Sequence, residues 1–197
     1  PIFRRLYTVP AMCRRREIMA RPTVIEVRRA EPSDARSISE IYNRAIEERM
    51  ATFETELRSE TAMQTWIASL DARHPILVAV LPGDSPPIPG AVVGWTSLAP
   101  YRTRACYAGI GEFSVYVARD HRGQGIGTRL LLSLVEEARR QGYWKLVSRI
   151  FPFNIASRGL CRKCGFREVG VYEKHGRLDG TWLDTVIVER LIPENLL

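Results

Sequence analysis

Val115-Tyr-Val-Ala-Arg-Asp-His-Arg-Gly-Gln-Gly-Ile-Gly127 is the stretch that decides how the rest of this chain folds. Gly111–Val117 (GEFSVYV) alternates as a strand and runs into Arg119–Gly127, a turn rich in Gly and Arg. Thr128–Gln141 follows at once with helical periodicity: Leu131, Leu134, Val135 and Ala138 share one face, and Gly142 stands as the stop. A strand feeding a glycine turn and a helix N-terminus aims unpaired backbone N–H groups at one point. That arrangement suits a phosphate, helped by roughly half a positive charge from the helix dipole. Gly123, Gly125 and Gly127 let the backbone come close to a pyrophosphate, and Arg122 brings a full charge. Two better-known phosphate motifs are absent, since neither G-x-x-x-x-G-K-[ST] nor G-x-G-x-x-G can be read here. The competing reading is a glycine turn that only closes a strand–helix unit.

Working outward, Val24–Arg29 alternates like a strand, and Ser33 is the expected N-cap of a helix carrying Ala35, Ile38, Ile41, Tyr42, Ala45 and Ile46. A second helix fits Ser59–Ala72. Ile76–Val80 reads as a buried strand, and Pro82–Gly90 as a proline-rich turn into a strand over Ala91–Leu98. Residues 99–109 read as a polar loop. Beyond the central helix come a strand at Lys145–Ile150, a helix at Asn154–Lys163 ended by Gly165, and strands at Arg167–Tyr172 and Trp182–Arg190. The order is β-α-α-β-β-β-α-β-α-β-β, with no repeat and no linker long enough to divide the chain into two domains. The expected fold is α/β: a mixed, mostly antiparallel sheet of about seven strands flanked by four helices.

Of the 197 residues, 45% are hydrophobic and 26% charged, as in an ordinary globular protein. The net charge of +7 is concentrated at one end. Residues 1–22 hold six arginines against one glutamate, leaving +2 for the remainder. This basic arm lacks the apolar core of a secretory signal, and Met19-Ala20 reads as a start preceded by an upstream extension. Residues 23–197 are expected to form the single domain. A nucleic-acid-binding arm is the other reading, and no nucleic-acid partner is expected. No apolar run approaches the ~18 residues of a membrane span. Cys13, Cys106, Cys161 and Cys164 suit reduced, structural thiols in a cytoplasmic protein: Cys161-x-x-Cys164 has no second pair to complete a metal site, so no metal is expected.

Arg122-Gly-Gln-Gly125-Ile-Gly127 resembles the R/Q-x-x-G-x-G/A signature of the GNAT acetyltransferases, on the strand–loop–helix where that family carries it, and the element order agrees over residues 24–192. Further motifs are similar to those of its phosphinothricin and arsinothricin N-acetyltransferase branch. They are Thr52-Phe53-x-Thr55-Glu56, Pro100-x-x-x-Arg104-x-x-Tyr107, Glu112-x-x-Val115-Tyr116-Val117, Asn154-x-x-Ser157 and Lys174-His175-Gly176…Trp182-x-Asp184. The resemblance implies that acetyl-CoA is the cosubstrate. Val115, Tyr116 and Val117 on the strand, Arg122, Gly123, Gln124, Gly125, Ile126, Gly127 and Thr128 in the turn, and Asn154 with Ser157 would hold it. It further implies Glu112 as the catalytic carboxylate, Phe53, Arg102, Arg104, Tyr107, Tyr116 and His175 around a small amine substrate, and a homodimer. The chain departs from the branch where Cys161 replaces a substrate-site histidine, where Arg102 replaces lysine, and where Arg177-Leu-Asp-Gly180 extends the last hairpin.

The chemistry asks for these residue types. An α-amino group has a pKa of roughly 8, so a base must take its proton before it attacks a thioester. Alternation places Glu112 and Ser114 on one strand face and Phe113 and Val115 on the other; Glu112 is read either as an exposed strand residue or salt-bridge partner or as the base, and a carboxylate between Gly111 and Phe113 favours function. The Val117 N–H is the family's candidate for stabilising the oxyanion, and no residue stands out as acid for the thiolate. Arg102 and Arg104 suit an acidic group recognised bidentately, or are surface charge; Phe53 is an apolar wall, and Tyr116 a pocket or core aromatic. His175 and Trp182 are expected to close the site, from the last hairpin or from a partner subunit, whereas His74 and His121 read as structural or solvated. The expected reaction is N-acetylation of a small glutamate-like amino acid or analogue. Acetylation of a peptide N-terminus and a non-catalytic acetyl-CoA-binding module are the alternatives; a polyamine fits badly beside two arginines.

Overall fold

A computed structural model describes residues 25–82 and 90–196. The basic arm with Cys13, Val24 at the start of the first expected strand, and the centre of the proline-rich turn lie outside the described residues. The elements run β1 (Glu26–Arg29), α1 (Ala35–Glu48), α2 (Glu60–Ser69), β2 (Ile76–Leu81), β3 (Ala91–Pro100), β4 (Ile110–Val117), α3 (Ile126–Arg140), β5 (Lys145–Ile150), α4 (Ile155–Lys163), β6 (Arg167–Leu178) and β7 (Thr181–Leu191). The order is the one read from the sequence. They build one seven-stranded sheet, β1-β2-β3-β4-β5-β7-β6, antiparallel except where β4 meets β5.

Each sheet face has its own core, because strand alternation sends neighbouring side chains to opposite sides. Phe113, Leu98, Leu146 and Val188 face α3, whose Leu131, Leu134, Val135 and Ala138 are buried as periodicity predicts. Ile38, Ile41, Met63 and Ile67 of α1 and α2 cover Val78 and Trp95 on the other face. Ser59 caps α2, its hydroxyl accepting from the Ala62 N–H at 3.1 Å.

Two local readings are corrected. Ser33 does not cap α1; Pro32–Asp34 is a 3-10 turn closed by a box between Glu31 and Asp34. Arg28 of β1 decides this, donating to both Asp34 oxygens (2.7 and 2.8 Å) and fixing the acid one residue past the expected cap. β6 does not stop at Tyr172. It bulges between Tyr172 and Gly176, with Lys174 at φ 48° and its N–H donating to Asp184 Oδ1 (2.7 Å), and continues to Leu178. The residues of Arg177–Gly180 then form the hairpin end: Leu178 pairs Thr181 across Asp179-Gly180, whose φ values of 47° and 84° both lie in the left-handed region that a tight two-residue turn uses.

The feature that makes a site is the parting of β4 from β5. Their pairing covers only Ile110↔Lys145, Gly111↔Leu146 and Glu112↔Val147, although β4 runs on to Val117 and β5 to Ile150. Beyond Glu112 the sheet opens.

Candidate active site

Two clefts meet at that opening. The first, of about 570 Å³, lies between the C-terminal half of β4, the 122–128 turn and the start of α4. The second, of about 580 Å³, lies on the α1/α2 side, between Glu112 and the β6–β7 hairpin. Ser114, Tyr116, Ser148 and Arg149 belong to both.

The first cleft is lined by backbone donors. The Ala118 N–H donates to the Val93 carbonyl at 2.9 Å, so the alternation of the antiparallel ladder turns the N–H and C=O of Val115 and Val117 away from β3 and towards the gap. Gly123 and Gly125, at φ 77° and 82°, have nothing within 4 Å of the position a Cβ would take, and Gly125 stands at the N-cap of α3. Gly127 and Thr128 begin that helix on the same wall. An open cradle of N–H groups at the N-terminus of a fifteen-residue helix fits a pyrophosphate.

Several expected contacts have other partners as well. Arg122 donates to Glu48 Oε2 at 2.8 Å and to the Val117 carbonyl at 3.2 Å, so its charge is already paired. Gln124 donates to the Asp120 carbonyl (3.2 Å) and does not line the cleft; Ile126 is 1% exposed and its side chain belongs to the core. Asn154 caps α4 by accepting from the Ser157 N–H (3.1 Å) and donates to the Met50 carbonyl (2.9 Å), tying α4 to the segment after α1. His121 stands on the cleft wall.

In the second cleft Glu112 faces Arg149, whose Nε donates to Oε1 at 3.0 Å and whose Nη2 donates to the same oxygen. Arg149 Nη1 lies 3.3 Å from His175 Nε2, and His175 stacks on Tyr172 at 4.8 Å between ring centroids. The bulge in β6 brings His175 here. Phe53 forms a wall, edge-on to Phe151 at 4.8 Å and closely abutting Gly176. Tyr116 lines both clefts yet packs among Tyr42 and Trp95, and burial first of all raises its phenol above the ordinary range, so it stays neutral.

Arg102, Arg104 and Tyr107 line neither cleft. They lie in the β3–β4 connection, with the Arg102 guanidinium 5.2 Å from the Tyr101 ring centre and Tyr101 6.0 Å from Tyr107. Trp182 is exposed beside Arg177. His74 is held by Asp71 (2.7 Å), as a structural histidine should be. Cys161 of α4 and Cys164 at its C-cap are buried free thiols, and burial pushes Cys161 up to about 12, which suits packing and not reactivity. Among the described residues no group of His, Cys, Asp and Glu can hold a metal ion, and no helix is long and apolar enough to cross a membrane.

Sequence reasoning missed Arg149, Thr185 and Glu48. The signal for Arg149 was a charge near the end of a sheet-like run, Lys145–Ile150; pairing sets which strand it faces, and no local pattern carries that.

The acetyltransferase (GNAT) family model matches residues 38–166. The chain belongs to that family. It is an acetyltransferase, and the matched residues take in both the glycine cradle and the parted strands. This acetyltransferase is 36% identical over 167 residues to an L-methionine sulfoximine/L-methionine sulfone acetyltransferase of Pseudomonas paraeruginosa, covering 83% of this chain and 92% of that one. It is 34% identical to a phosphinothricin N-acetyltransferase of Alcaligenes faecalis, covering 83% and 81%. A GNAT superfamily phosphinothricin acetyltransferase from Sinorhizobium meliloti, solved in complex with AcCoA, superposes with a TM-score of 0.76 at 31% identity, over 85% of this chain and 88% of that one.

Proposed function

We propose that this acetyltransferase moves an acetyl group from acetyl-CoA to the α-amino group of a small glutamate-like amino acid or analogue, such as phosphinothricin, arsinothricin, methionine sulfoximine or methionine sulfone. The observation that carries the reading is that Glu112 lines the second cleft two residues from Ser114, which belongs to both, with one carboxylate oxygen on Arg149 and the other, Oε2, without a partner among the described residues. The names of the relatives support the acceptor class.

The N–H groups of Gly123–Thr128 would hold the pyrophosphate of acetyl-CoA, and the gap between β4 and β5 its thioester arm. Acetyl-CoA, when bound, supplies the carbonyl carbon that the amine attacks. Glu112 Oε2 takes the proton of the acceptor nitrogen, directly or through one water. The Val117 N–H, directed into the gap, donates to the acyl oxygen as negative charge develops, a contribution of about 3 kcal/mol. The acting species is a homodimer, and the compartment is the cytoplasm.

Free-thiol release from acetyl-CoA, measured with a panel of these amino acids, a peptide and a polyamine, tests the reading. Turnover confined to α-amino acids supports it; turnover of the peptide alone defeats it.

A further inference from the structure

We propose that Arg149 and Thr185 form a carboxylate-binding subsite that reads the α-carboxylate of the acceptor while its amino group faces Glu112. This rests on the acceptor class given above and names the region of the site that recognises it.

The three residues form a row on one sheet face. Glu112 of β4 is paired with Val147 of β5, two residues from Arg149; Arg149 is paired with Ile187 of β7, two residues from Thr185. A two-residue step along a strand returns to the same face, so all three look into the acceptor cleft. Among the described residues Arg149 is the only lysine or arginine that lines this cleft, against the carboxylates of Glu54, Glu56 and Glu112. Glu54 is taken by Arg58 at 2.7 Å. An anion entering the cleft therefore has one cation to meet.

That cation has capacity left. A guanidinium carries five N–H donors in a planar fork. Glu112 occupies the Nε/Nη2 side, and the end of the fork has a single loose partner, His175 at 3.3 Å. The end-on edge is the one that takes a second carboxylate. Thr185 supplies an independent sign. It is 1% exposed, and its hydroxyl is one of only two buried side-chain polar atoms without a partner among the described residues. Leaving a hydroxyl unpaired in a protein interior is costly, which points to a polar group that arrives with the ligand.

The geometry selects a chemical class. An α-amino acid bears its amine and its carboxylate on one carbon. A carboxylate on the end of the Arg149 fork, completed by the Thr185 hydroxyl, thus delivers the amine to the side of the fork where Glu112 waits. A peptide N-terminus or a polyamine has no carboxylate beside its amine and gains nothing from the subsite.

The test compares each free amino acid with its α-carboxamide, which keeps the shape and loses the charge. Wild-type kcat/KM should favour the acid by roughly 10- to 100-fold, the span of a hydrogen-bonded charge. Arg149→Gln should bring that ratio to near one, Arg149→Lys to an intermediate value, and Thr185→Val should shrink it severalfold. The ratio is the readout because Arg149 also touches Glu112, and any loss common to both substrates cancels. A wild-type ratio near one, or a ratio that survives both Arg149→Lys and Thr185→Val, overturns the subsite. Calorimetric binding of glutamate and its α-amide without acetyl donor separates this from the reaction itself. Glutamate should bind more tightly in wild type and lose that advantage in the variants, whether or not either amine is acetylated; equal or absent binding of the two in wild type rejects the subsite alone.

Discussion

Arg149 lays one side of its guanidinium on a single oxygen of Glu112, with Nε and Nη2 both donating to Oε1 and Oε2 left without a partner among the described residues. The carboxylate is thereby held in orientation while half of it stays available. A base needs that combination: fixed geometry, and a lone pair facing the proton it removes.

Glu112→Gln keeps the shape and an acceptor for Arg149 but removes the base. Turnover near neutral pH should fall by about 10²–10⁴-fold, the usual span for a positioned base. Below the amine's own pKa, roughly 8, the residual rate should climb about tenfold per pH unit, because only the free amine reacts. A steady-state pH profile of thiol release checks both. Wild-type turnover in the variant retires the assignment.

Glycines 125 and 127 stand two residues apart in one turn and should respond differently. Gly125 has φ 82° with open space above it, so Gly125→Ala places a methyl over the cradle and strains the backbone by about 1–2 kcal/mol. Gly127 has no such φ, and a methyl there meets the flexible end of Leu160 at 3.0 Å and, at ordinary van der Waals distance, Val117 Cγ2 at 3.6 Å. Gly127→Ala should leave the melting temperature nearly unchanged and raise KM for acetyl-CoA less than about threefold. Gly125→Ala should lower the melting temperature by a few degrees and raise that KM by about tenfold. Melting curves and acetyl-CoA saturation curves decide between them.

What the sequence carries and what it does not follow from the same physics. The 115–127 turn and α3 were readable because glycine spacing and helical periodicity are local; the two-residue alternation of β4 set Glu112 on the face of Ser114, and only the family resemblance marked that face as the acceptor's. Arg149 was not readable as its partner, because the pairing of β4 with β5 joins residues 37 positions apart. The length of β6 was hidden by the bulge at Lys174, which breaks alternation and depends on the Lys174 N–H donating to Asp184 of the neighbouring strand. Arg102 and Arg104 were expected at the acceptor from the resemblance and from guanidinium chemistry, with surface charge as the alternative; they lie on the β3–β4 loop and line neither cleft.

The cysteines should separate by reactivity. Cys106 is exposed, while Cys161 and Cys164 are buried, with Cys161 pushed up to about 12. At pH 8 a thiol of that pKa is ionised in only about one molecule in ten thousand, and the thiolate is the reacting form. Iodoacetamide on the native protein, followed by peptide mass analysis, should therefore label Cys106 within minutes and leave Cys161 and Cys164 unmodified until denaturant is added. Rapid native labelling of Cys161 contradicts the buried packing.

Asp34 links the two ends of the first connection. Its burial works to raise its pKa, but hydrogen bonds from Arg28 and from the Glu31 N–H more than offset this and hold the carboxyl below its usual range. A carboxyl lowered in the folded state stabilises the fold above its unfolded value, about 3.9, and that stabilisation is lost as pH falls through the lower folded value. Asp34→Asn leaves the Arg28 guanidinium, itself partly buried, without its counter-charge. The variant should lose about 1–3 kcal/mol of unfolding free energy at pH 7, the range for a hydrogen bond to a charged group. The gap between wild type and variant should then narrow below about pH 4, as the wild-type carboxyl takes up a proton. Urea unfolding at pH 7 and pH 3 measures both quantities; a gap that stays constant across that interval means the ionised pair does not stabilise the fold.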